Sequence, residues 1–298
     1  MAIAVAEPGI PGGHAVSQRQ PVSWLPLFVT GIVFIALFRE AMTTLVSNWW
    51  SDPDAGHGLL LAPVALWLMW RRGLLEDRKA QPRLGVALLA GAVLLRYVSG
   101  LAAELFTLRI SFLAAVGALI VFYFGIRQLR HWWLPAALLL LSVPLPSVVI
   151  GSLALPLQLQ ASQFGAALLE ARHVPVLLSG NVIHLPGRSL FVTEACSGLR
   201  SLTSLLALGV LIGGLWLRSP WLRLGLVLLA VPIAMFLNGV RIFITGFLTH
   251  FVNPALGEGL MHYTEGWALF AVAFILLGAV AWVFTHAEQL YYGRRAVS

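Results

Sequence analysis

Long apolar stretches, broken by few charges, leave this chain one environment in which to bury itself: a lipid bilayer. About 20 apolar residues in a helix reach across the hydrocarbon core. Candidate spans lie at 22–39, 57–71, 84–103, 106–126, 133–150, 198–216, 222–249 and 261–285. Only 10% of the 298 residues are charged and 59% are hydrophobic, whereas a soluble domain carries roughly 25% charged residues. The expected fold class is an all-α polytopic membrane protein with about eight transmembrane helices. The stretch 57–71 is short for a span, with Trp67 and Trp70 placed to anchor its end at the headgroups.

Charge sets the expected orientation. Against 12 Asp+Glu the chain has 19 Lys+Arg, a net +7. In a soluble protein this excess would point to nucleic acid; among membrane spans it marks cytoplasmic loops, so no nucleic-acid partner is expected. Arg71, Arg72, Arg78, Lys79 and Arg83 crowd one connection, Arg127 and Arg130 a second, and Arg218 and Arg223 a third, with Arg294 and Arg295 at the end. With all of these inside, eight spans alternate and both termini are cytoplasmic. Residues 1–20, rich in Gly and Pro, read as a disordered cytoplasmic tail without a secretory signal pattern. Residues 21–288 form the membrane domain and 289–298 a cytoplasmic tail. The connections 40–56, 151–197 and 250–260 then face outward.

The largest of these, 151–197, begins with Leu157, Phe164, Leu168 and Leu169 among Gln158, Gln160, Ser162 and Gln163. That mixture suits an interfacial helix better than a spanning one. Short β-branched runs follow, broken by Ser179-Gly180-Asn181 and Pro186-Gly187, which predicts a small β-hairpin-like element. Its exposed edge suits an extended peptide.

The hairpin leads to Cys196, the single cysteine of the chain. One cysteine excludes an intramolecular disulfide. The segment Thr193-Glu194-Ala195-Cys196-Ser197-Gly198-Leu199-Arg200-Ser201 places the thiol at a predicted helix start. Unpaired N–H groups and the positive dipole end there favour a thiolate and offer donors to an oxyanion. The alternative for Cys196 alone is an inert apolar filler; Glu194, Ser197, Arg200 and Ser201 around it favour chemistry.

Arg241 lies inside an apolar run, with Asn238 and Thr245 at i−3 and i+4 on its face. A buried arginine costs several kcal/mol in a membrane and normally faces a polar interior; the alternative is snorkelling to the headgroups. Arg96 and Arg109 lack such a polar face and are expected to snorkel. His262 opens the last span, with Glu265 one turn on to orient it. His57, in Gly56-His57-Gly58 with Asp52 and Asp54 nearby, faces outward on this topology and is a supporting candidate. His57, His262 and Glu265 have no close ligand spacing, so no metal and no cofactor are expected. The resulting assignment is a Cys196 nucleophile, a His262 proton shuttle and an Arg241 that stabilises thiolate or oxyanion.

Three ordered blocks carry a resemblance. Glu194-Ala195-Cys196-Ser197-Gly198-Leu199-Arg200-Ser201, Asn238-Gly239-Val240-Arg241-Ile242 and His262-Tyr263-Thr264-Glu265-Gly266-Trp267 resemble the signature regions of the exosortase/archaeosortase family. The runs Gly180 to Pro186 and Gly56-His57-Gly58 are also similar. The resemblance implies a cysteine protease and transpeptidase of the bacterial inner membrane, with Cys196, Arg241 and His262 catalytic and the site facing the periplasm. Implied substrates are membrane-anchored proteins with a C-terminal sorting signal of PEP-CTERM type: a short motif, an apolar helix and a basic tail. Such enzymes accompany exopolysaccharide production. Two other classes fit the polar residues: a transporter or channel using Arg241 and His262 as a polar pathway, and a non-catalytic part of an exopolysaccharide export complex.

Overall fold

The computed structural model of the protein describes residues 25–52, 54–192, 199–252 and 260–295, side chains at 25–27, 188, 260–266 and 292–295 excepted. In order these form α1 (Leu25–Ser51), α2 (Gly58–Arg72), α3 (Pro82–Leu101), α4 (Leu105–Phe124), α5 (Ile126–His131), α6 (Trp133–Leu141) and α7 (Ser147–Glu170). There follow β1 (Leu177–Ser179), β2 (Val182–Leu185), β3 (Arg188–Phe191), α8 (Leu199–Trp216), α9 (Pro220–Phe251) and α10 (Leu260–Arg295). Two compact units emerge, residues 1–39 and 40–298. The second holds the latter part of α1 and every element from α2 onward.

Six helices among the described residues are long and apolar enough to cross a membrane: Phe28–Ser51, Pro82–Leu101, Leu105–Phe124, Leu199–Trp216, Pro220–Phe251 and Trp267–Tyr291. The protein is therefore a multi-pass helical membrane protein. Helix α2, with 15 residues, and α6, with nine, are too short to join that set. The expected span 133–150 is interrupted. α6 stops at Leu141 and α7 begins at Ser147, because Pro144 and Pro146 offer no N–H and disfavour helix in the residues before them. Helix α1 also differs from expectation. It runs past Arg39 and Glu40 to Ser51, so most of 40–56 is helix.

Helix α7 covers the stretch expected as an interfacial helix, and it packs tightly within the unit. It buries Ala154, Gln158, Ala161, Ser162, Gly165, Ala166 and Leu169, a stripe at helical spacing. Two of its glutamine and serine residues thus point inward. The partner face is α9, where small residues permit close approach. A side chain at Gly239 would strike Phe164, one at Gly165 would strike Ile242, and one at Gly246 would strike Leu169.

The two turns foreseen at Ser179-Gly180-Asn181 and Pro186-Gly187 divide three strands, in the antiparallel order β1-β2-β3. Gly180 and Gly187 have φ of 61° and 78°, a left-handed region that glycine enters at little cost. Ile183, Leu185 and Val192 pack on Ala161, Ala166 and Leu169 of α7 and Ile242 of α9. A second core joins Leu226, Ala230, Ala234 and Leu237 of α9 to Leu205 of α8 and to Ala273, Leu277 and Ala281 of α10.

Polar contacts sort the helix ends into two sets. In one, Arg72 donates to the His131 carbonyl at 2.9 Å, and the Gln128 side chain accepts from Leu75 N–H and donates to the Gly73 carbonyl. Arg223 lies 4.9 Å over the Trp133 ring, and Glu288 accepts from the N–H groups of Arg218 and Ser219. The basic connections at 71–83, 127–130 and 218–223 therefore share one end of this unit. At the opposite end, Trp49 donates to the Ser142 carbonyl at 2.7 Å and Arg200 pairs with Asp54.

Candidate active site

Helix α9 runs from Pro220 at the basic end to Phe251 at the other. Arg241 sits ten residues, about 15 Å, before its close, on the half that carries the sheet. Asn238, Thr245 and Thr249 share its side of the helix and are 7%, 5% and 3% exposed. The Thr245 hydroxyl donates to the Arg241 carbonyl at 3.0 Å and that of Thr249 to the Gly246 carbonyl. A polar stripe thus continues about three turns beyond Asn238. Thr249, at i+8 from Arg241, completes a spacing that the sequence already displayed.

Cys196, Glu194 and Ser197 lie outside the described residues, but both flanks of the cysteine are fixed. Upstream, Val192 is buried, its N–H donates to the Asn181 carbonyl, and the Asn181 amide donates back to the Val192 carbonyl at 3.0 Å. The same amide reaches Gln158 of α7 at 3.4 Å. Downstream, Arg200 in the first turn of α8 holds Asp54 through Nε at 2.6 Å. Asp54 is itself in a turn closed by its N–H on the Asp52 carboxylate.

His57 caps this turn against α6. Its Nε2 lies 3.2 Å from the Leu141 carbonyl. A carbonyl only accepts, so Nε2 carries the proton in this bond. The other ring nitrogen, Nδ1, is buried without a hydrogen-bond partner. Trp49 and His57 together grip the carbonyls freed where α6 ends, so the helix break and the 52–57 turn are parts of one construction.

His262 and Glu265 belong to the first turns of α10; their side chains lie outside the described residues. The start of α10 is opposite Glu288, hence at the same end of the unit as Arg200 and the sheet. Among the described residues no three His, Cys, Asp or Glu gather as metal ligands.

Arg109 corrects the expectation of snorkelling. It is 3% exposed, and Nη2 donates to the Thr44 carbonyl of α1 at 3.2 Å. The Glu104 carboxylate, one turn earlier, caps α4 by accepting from the N–H groups of Phe106 and Thr107 and from the Thr107 hydroxyl. Desolvation alone would push the Glu104 carboxyl up; these hydrogen bonds and the Arg109 charge outweigh it and hold it below its ordinary range. The polar face needed to bury Arg109 comes from another helix, so its own neighbours in sequence gave no sign of it.

The sequence model of the transmembrane exosortase family matches residues 49–279. This chain belongs to that family. The match spans every described helix from the end of α1 into α10, and includes all three blocks that carry the resemblance. The exosortase region thus coincides with the packed unit that holds the sheet and α9. No curated protein and no solved structure matches the chain.

Proposed function

We propose that this exosortase is a cysteine peptidase and transpeptidase of the bacterial inner membrane, acting on exported proteins that end in a sorting signal of PEP-CTERM type. The observation that carries the reading is the family match over 49–279, which takes in Cys196, Arg241 and His262 in their ordered blocks. Helix α2 and the α6–α7 pair supplement the six long spans to bring the count to eight, with the basic end cytoplasmic and the opposite end periplasmic.

In this mechanism the Cys196 thiolate attacks the carbonyl carbon of the scissile peptide bond. A C–S bond forms, the carbonyl electrons move to oxygen, and the C–N bond breaks as His262 protonates the leaving amine. Arg241 stabilises the thiolate before attack or the oxyanion after it. Water or a second amine then attacks the thioester and releases Cys196. Glu265 and Asn238 orient His262 and Arg241; Glu194, Ser197 and His57 line the approach. A substrate anchored by its own helix presents its cleavable bond at a membrane surface, which is where this reading puts the thiol.

The test is mass spectrometry of a co-expressed protein ending in a short motif, an apolar helix and a basic tail. Cleavage, with or without a newly attached group, is expected with the wild type and not with Cys196→Ala. Equal processing by the Cys196→Ala protein, when it is inserted at normal levels, refutes the assignment.

A further inference from the structure

Strand β3 is one of the two outer strands of the sheet, and the one that leads to Cys196. The two-residue connection Pro186-Gly187 joins Leu185 to Arg188, which makes that opposed pair exchange both of its ladder hydrogen bonds. Alternation then turns the N–H and C=O groups of Arg188, Leu190 and Val192 toward β2. The Val192 N–H on the Asn181 carbonyl at 3.0 Å agrees with that phase. Ser189 and Phe191 therefore aim their backbone groups away from the sheet. No hydrogen bond between described residues takes these groups up, and both residues are exposed, Phe191 by 59%. An open edge of this kind is a template for another strand.

We propose that the β3 edge docks an extended segment of the protein substrate as a fourth strand. This rests on the peptidase reading and names how that site holds its substrate. Charge does not discriminate here, because Arg172 and Arg188 are balanced by Glu170 and Glu194. Proximity to the proposed nucleophile selects the occupant. Cys196 follows Phe191 by five residues, which holds it within about 17 Å of the edge by chain length alone. Rigidity makes the docking efficient. The inner face of the sheet is packed on α7 and α9, and Asn181 ties it to Gln158, so only the incoming chain must be ordered.

The decisive experiment is a cysteine cross-linking scan in membranes. Ser189→Cys, in a Cys196→Ala background, is paired with single cysteines placed along the co-expressed substrate before its cleaved bond. A disulfide requires Cα atoms about 4.4–6.8 Å apart, and a strand alternates its side chains. Ser189→Cys is expected to cross-link to a single substrate position, and Phe191→Cys in the same background to the position two residues away, with the intervening position silent. Cross-links at none, or at consecutive positions without that two-residue step, overturn strand addition while leaving cleavage by the wild type intact. If the wild type does not cleave the substrate, the peptidase reading fails and the docking falls with it. Phe191→Pro supplies a second measurement, because it removes an outward N–H and no bond to β2. Processing should fall about tenfold, with alkylation of Cys196 unchanged; full processing by Phe191→Pro overturns the proposal.

Discussion

Arg241 is the residue whose chemistry is easiest to dissect. If its planar fork grips an oxyanion, Arg241→Lys should lose nearly as much processing as Arg241→Ala; simple charge stabilisation leaves the lysine variant much closer to wild type. Comparing rates of substrate cleavage across the three proteins decides, and near-normal turnover in Arg241→Ala removes the residue from the site. The Asp54–Arg200 pair offers a second handle. Both side chains are about half exposed, so the pair contributes little to stability, yet it sets the charge four residues along the chain from Cys196. Asp54→Asn should lower the midpoint of thiol alkylation by roughly half a pH unit and Arg200→Gln should raise it. The single cysteine makes this readout unambiguous; shifts of the same sign would contradict the argument. Arg241 with Asn238 and Thr245 was legible from spacing on one helix. Arg109 was not, because Thr44, from a distant stretch of chain, supplies its acceptor.

Helix packing carries predictions of its own. Gly239 meets Phe164 where α9 crosses α7, and it stands two residues from Arg241. Gly239→Val should cost about 1–3 kcal/mol of stability, seen as a lower melting temperature, and should reduce processing as α9 is pushed aside. An unaltered melting curve would mean the helices are not in such close contact. At the head of α4, the Glu104 cap should contribute about 1 kcal/mol. Its carboxyl is lowered in the folded protein, so the contribution is full above the unfolded value of about 4.3 and fades as pH falls through the folded one. Thermal melts should show wild type losing more stability than Glu104→Gln on acidification below that range; equal losses would discount the cap. The two sheet turns were legible because glycine marks a left-handed backbone. The end of α1 was not, since Arg39 and Glu40 interrupt an apolar run without interrupting a helix. The break after Leu141 was written in Pro144 and Pro146, but hydropathy summed across it hid the signal.

Across the whole molecule, the basic connections gather at one end and the sheet, Arg200 and the close of α9 at the other. A membrane-impermeant thiol reagent applied to spheroplasts should therefore label Cys196 without lysis, and labelling only after the membrane is opened would invert the proposed orientation. Hydropathy and arginine distribution foretold which ends belong together, because both follow from the surrounding solvent. They did not foretell that α7 lies against α9, because the glycines that allow it carry no hydropathy signal. The shortness of α2 has a further consequence. Its 15 residues span about 22 Å, against a hydrocarbon thickness of about 30 Å, and Leu60, Leu66 and Trp70 point outward along it. On the proposed eight-span reading, acyl chains beside α2 would have to compress to meet it. The protein would then wear a dimple in its own bilayer, and a neighbouring polypeptide tail drifting into that thinned patch would already be partly lifted out of the oil.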